Sequence, residues 1–186
     1  MIFERYNFLK KKEIYILYFL VLFSILIRIP VILIYGDSSL EYEWKTLVEN
    51  LIEYKQLGWK NCEFSYSVTQ VCLEEGFILP NLWMPPLYAY YLYFFTFFNF
   101  SEQNYILAIL LSQVFLTSIS VAIFYKVNKF FFSNKLSLLG SLIFSLFPLY
   151  LYASGQISSI SLQVFLTVLF IYFFLQLIEK KNIFSI

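Results

Sequence analysis

The chain has 186 residues, of which 60% are hydrophobic and only 13% charged, and its mean hydropathy is +0.72. Soluble domains hold roughly 25% charged and 45–50% apolar residues, so this composition excludes a soluble globular domain and defines an integral membrane protein. A formal net charge of +1 gives no sign of nucleic-acid binding, and the absence of histidine excludes histidine-based catalysis and histidine metal ligands.

A helix needs about 20 mainly apolar residues to cross the hydrocarbon core. Glu13 to Tyr35 meets this first, interrupted only by Arg28 and Pro30. Its apolar run is too long for a cleaved signal peptide, and no small-residue cleavage site follows it. An intramembrane arginine is a functional-site hypothesis by default, with snorkelling to the surface as the alternative.

Residues 36–84 form the one large polar segment. Asp37 opens it, and Ser38 with Glu41 fits the S-x-x-E capping box that starts a helix. Leu40, Trp44, Leu47, Val48, Leu51 and Tyr54 then recur at helical spacing, with Glu41, Glu49 and Glu53 opposite. That pattern predicts a short amphipathic helix lying in the membrane interface and ending near Gly58. Cys62 and Cys72 are the only cysteines. On an oxidising face they read as a structural disulfide, with two unpaired thiols as the alternative. Two thiols without histidine are too few for zinc, and a divalent-metal site is not supported. No cofactor is expected.

The stretch LPNLWMPPL (Leu79 to Leu87) is stiffened by three prolines, the last two of which suit a helix start. The apolar piece that follows, Pro85 to Phe98, spans only 14 residues. Asn99-Phe100-Ser101 matches the glycosylation sequon but abuts an apolar helix and carries no weight. Three more spans are predicted, at about Tyr105–Tyr125, Leu136–Ala153 and Ser158–Ile178. Lys and Arg near span ends stay cytoplasmic. If Pro85–Phe98 remains a short membrane-embedded helix on the outer side, nine of the 13 basic residues fall inside. Nine of the 12 acids then fall in the external segment 36–104. The expected fold is therefore all-α: four transmembrane helices plus interfacial helices in the first external loop. The N-terminus is cytoplasmic and the loop external. Between the last two spans, Pro148 to Ser161 reads either as a polar pocket lining or as a tight turn whose serines cap the next helix.

Taken in order, these features resemble the N-terminal part of the GT-C glycosyltransferases of the protein O-mannosyltransferase and lipid A aminoarabinose transferase type. An Arg-bearing first span leads into Gly36-Asp37, with Tyr42 five residues on, and then a helical external loop. The PPLY segment (Pro85, Pro86, Leu87, Tyr88) follows, and then a span ending in Pro148, Leu149, Tyr152, Ser154 and Gly155. Met84 stands where many relatives carry lysine. Gln156 and Ser159 lie where many carry a carboxylate. The resemblance implies transfer of a sugar from a polyprenyl-phosphate carrier to an acceptor on the outer face of the cell (inner) membrane. It implies Asp37 as general base, and Arg28, Tyr42, Pro85, Pro86, Tyr88, Gln156 and Ser159 as substrate-binding positions. Enzymes of this type have more spans, so the chain is expected to be a fragment, completed by further C-terminal helices or a partner subunit. The alternatives are a non-enzymatic membrane subunit and a fragment of a transporter or flippase for lipid-linked sugars. Gln113, Ser112, Thr117 and Ser120 are the few polar groups that a path through the spans would have.

Overall fold

Segments this apolar have no water with which to pair their backbone, so each must satisfy its own N–H and C=O groups, which a helix does. The computed structural model describes residues 2–60, 78–80 and 84–183, and these are overwhelmingly helical. They divide into two compact units: Met1–Gly36 with Leu110–Ile186, and Asp37–Ile109.

The first unit is built from α1 (Ile2–Tyr35), most of α4 (Glu102–Asn128), α5 (Asn134–Ser145), α6 (Pro148–Gly155) and α7 (Ile160–Ile183). Three of these helices are long and apolar enough to cross a membrane, and the α5–α6 pair makes a fourth if it counts as one bent span. The predicted third span is thus broken: α5 and α6 meet at 49°. Proline is the cause. Pro148 opens α6 as its first residue, and it holds Phe147 extended (φ −62°, ψ 121°), out of the helical region.

Contacts within this unit order the helices. The α1 residue Glu13 pairs with Lys129 at the end of α4, Oε2 to Nζ 2.9 Å. Leu20 is buried in one cluster with Val121 and Tyr125, against Leu138, Leu142 and Phe144. Further along α1, Arg28 reaches Ser145, and Val31 and Gly36 meet Gly155. At the start of α7, Ser161 Oγ donates to Ala153 O (3.2 Å). Midway along α7, Tyr172 lies by Phe130 and under the Lys126 ammonium. So α1 runs one way, α4 back, α5–α6 forward again and α7 back. The chain leaves α1 and re-enters this bundle along α4 at the same end.

The second unit holds α2 (Tyr42–Tyr54), β1 (Gly58–Lys60), β2 (Ile78–Pro80), α3 (Pro86–Thr96) and the first turns of α4. The two three-residue strands pair antiparallel, Gly58 opposite Pro80. At 1.5 Å per residue, α3 is about 16 Å long, half the thickness of a hydrocarbon core. As expected, Pro85 and Pro86 start it: Pro85 is its extended N-cap and Pro86 its first residue.

Three expectations for α2 change. Glu41, not Ser38, is the N-cap, and no side chain caps it, so the predicted capping box does not form. Ser38 sits in a bend three residues before that N-cap, too early to reach the first turn. The helix ends at Lys55, in the left-handed region (φ 59°), rather than at Gly58, which begins β1. The apolar stripe is real, with Trp44, Leu47, Val48 and Leu51 buried and Glu41, Glu49 and Glu53 exposed. It faces protein, however. Trp44 meets Tyr88 of α3 edge-on, with centroids 4.8 Å apart, and buried Asn50 donates to Gly58 O (2.8 Å). A stripe covered in this way is not available to lie on lipid.

Candidate functional site

The sequence-predicted positions fall in both units. Arg28, Gln156 and Ser159 belong to the first; Asp37, Tyr42, Pro85, Pro86 and Tyr88 belong to the second. Cys62 and Cys72, with their predicted disulfide, lie outside the described residues.

In the first unit, Arg28 is 1% exposed, so it does not snorkel. Its Nη1 donates to Ser24 O (3.2 Å), Ser24 Oγ (2.5 Å) and Ser145 Oγ (3.3 Å), while Nε has no partner among the described residues. Burying a guanidinium among apolar helices is costly unless polar groups surround it, and here two helices supply them. Ser137, Ser141 and Ser145, all fully buried, form a stripe at every fourth residue of α5. Such a stripe lets helices approach closely and hydrogen-bond across the gap. Sequence reasoning missed Ser24 and Ser145. The signal was present: a serine one turn before the arginine, and a serine period of four in α5.

At the far end of α1 the chain is held closely. Gly36 N donates to Ile32 O (2.9 Å), and a Cβ at Gly36 would clash with that oxygen, so a side chain there forces a shift. Gly155, the last residue of α6, packs so that its own Cβ would lie 3.4 Å from Val31 Cγ1 and 3.8 Å from Gly36 Cα. The next residue, Gln156, donates from Nε2 to Tyr35 O at 2.9 Å. Two of the motifs carried by the resemblance, Gly36-Asp37 and Ser154-Gly155, thus have their glycines side by side. Ser154, inside α6, bonds within its own helix, and Ser159 behaves as a helix-start residue of α7. Ser154 Oγ donates to Leu151 O (2.7 Å), and Ser159 Oγ accepts from Gln163 Nε2 (3.0 Å).

The second unit begins with Asp37, half-buried in the short link between α1 and the Ser38–Ser39 bend. Tyr42 is the first residue of α2. Tyr88 is 1% exposed, locked between Trp44 and Tyr91, so it acts as a core residue of this unit. An open groove of about 410 Å³ lies between α2 and the α3–α4 turn, and Leu40 is among the residues that line it. Val48, Phe100 and Ile106 line its apolar part, and Lys45, Glu49 and Glu102 its charged part. Among the described residues no three carboxylates or thiols converge where they could hold a metal ion.

The fold is that of an all-α polytopic membrane protein. No family, no curated protein and no solved structure matches the chain.

Proposed function

We propose that the chain is part of a membrane glycosyltransferase that moves a sugar from a polyprenyl-phosphate donor to an acceptor hydroxyl on the outer face of the cell membrane. Asp37 is its general base. The carboxylate takes the hydroxyl proton as the acceptor oxygen attacks the anomeric carbon. The bond from that carbon to the phosphate oxygen breaks, its electron pair leaves with the phosphate, and the anomeric centre inverts.

The observation that carries this reading is the meeting of Gly36 with Gly155 and of Tyr35 with Gln156, which joins two separate parts of the family-like pattern immediately before Asp37. A second support is the gathering of Lys126 and Lys129 with Glu13 in one cleft, at the end of the bundle opposite to Gly36. By the positive-inside bias that end faces the cytoplasm, which turns Asp37 outward. The open groove lined by Leu40, Val48 and Glu49 offers an acceptor both apolar surface and hydrogen-bonding carboxylates. Arg28 is enclosed by its serines, so a donor phosphate would reach it only after α5 moved off α1.

The test is sugar transfer from a polyprenyl-phosphate donor in membranes carrying the protein. Asp37→Asn is expected to abolish transfer, by at least about 100-fold as for loss of a general base, while membrane insertion is unchanged. Activity retained in Asp37→Asn refutes the assignment.

A further inference from the structure

The last four carbonyls of a helix have no acceptor role left within it, and they need partners from elsewhere. At the end of α1, Ile32 O is taken by Gly36 N (2.9 Å), and Tyr35 O by the side-chain amide of Gln156, 121 residues away. Gln156 has an extended backbone (φ −104°, ψ 144°) directly after α6, and its neighbours are fixed. Ala153, Ser154, Gly155 and Ile157 are buried, and Ser161 Oγ ties Ala153 O to the first turn of α7. On the other side, Gly155 packs against Val31 and the Gly36 Cα, and Gly36 is held so close to the Ile32 carbonyl that no side chain fits there without a shift. The Tyr35 carbonyl, two residues before Asp37, is therefore clamped to a rigid frame.

We infer that Gln156 is a positioning residue: by holding the Tyr35 carbonyl it sets where the chain leaves α1, and hence where the Asp37 carboxylate points. The inference rests on the reading of Asp37 as the base. Gln156 then acts as a hydrogen-bond donor to the protein's own backbone, and it does not bind substrate. The role needs both a donor and this length. Glutamate presents a carboxylate to a carbonyl oxygen, and alanine presents nothing. Reacting groups must be held to a fraction of an ångström, and a misplacement of about 1 Å costs about 100-fold in rate.

Two measurements on the full chain in lipid nanodiscs test it. In amide hydrogen exchange, Gln156→Ala and Gln156→Glu are expected to speed exchange at Gly36 and Asp37 by about tenfold, as for loss of one charge-free clamp. Gln163→Ala, whose side-chain amide bonds to Ser159 one helical turn earlier, leaves those amides as they are. In sugar transfer, Gln156→Ala is expected to lower kcat by about 10- to 100-fold with both KM values unchanged. Unchanged exchange at Gly36 and Asp37 overturns the inference. So does a normal kcat in Gln156→Ala beside an inactive Asp37→Asn, and in that case the base assignment stands. An active Asp37→Asn removes the base assignment and this inference with it.

Discussion

The contact between Trp44 and Tyr88 separates two views of α2: a helix resting on lipid, or one whose apolar face is the core of its own unit. Trp44 is 5% exposed, and its flanking residues Leu47, Val48 and Leu51 are at 0–4%. Nearly the whole indole is therefore enclosed, and Trp44→Ala is expected to cost about 3–5 kcal/mol, as for other buried tryptophans. The edge-on geometry, 4.8 Å between centroids and 75° between planes, adds a specific term of about 0.5–1.5 kcal/mol. A double-mutant cycle with Trp44→Leu and Tyr88→Leu isolates that term as a coupling energy. The assay is hydrogen exchange of the α2 amides in nanodiscs, where each 1.4 kcal/mol is a factor of about ten in protection. Protection of α2 should fall by about 100-fold or more in Trp44→Ala. A fall below about tenfold, with no coupling to Tyr88, would mean that lipid rather than α3 covers this face, and the described packing would be refuted.

Other consequences concern the first unit. Ser145→Ala removes a hydrogen bond to a buried guanidinium and should destabilise by about 1.5–3 kcal/mol in thermal unfolding in detergent. Ser137→Ala, whose hydroxyl bonds only to backbone carbonyls of Ser133 and Phe132, should cost less than about 1 kcal/mol. Equal effects would show that Arg28 draws nothing from α5. At Gly155 a methyl group would just touch Val31 Cγ1 at 3.4 Å, so Gly155→Ala should cost no more than about 1 kcal/mol. Gly155→Val must push its branches into Val31 or Gly36 and should lower stability by about 1–3 kcal/mol in the same assay. A tolerated valine would contradict the close approach of α6 to α1.

What the sequence determined alone was everything that local chemistry controls. Apolar length dictated α1, α4 and α7, because a backbone in lipid must close its own hydrogen bonds. Pro85 and Pro86 marked the start of α3, and the spacing from Trp44 to Leu51 marked one apolar face of α2. Lysine placement argued for a Pro85–Phe98 that does not cross, and it is Glu13 and Lys129 that pair where α1 and α4 run antiparallel. The break at Phe147–Pro148 was legible too, since proline restricts the residue before it, but the apolar run on both sides concealed it. Other features were not local. Ser38 and Glu41 have the letters of a capping box, yet the helix starts where Trp44 can reach Tyr88, and packing outweighed the cap. That α2 faces protein, that Arg28 is met by Ser145, and that Gln156 holds the Tyr35 carbonyl depend on residues 44, 117 and 121 positions apart in the chain. A side chain's pattern shows that it needs a partner; only the tertiary arrangement supplies which one, because burial and hydrogen bonding are settled between elements, not within them.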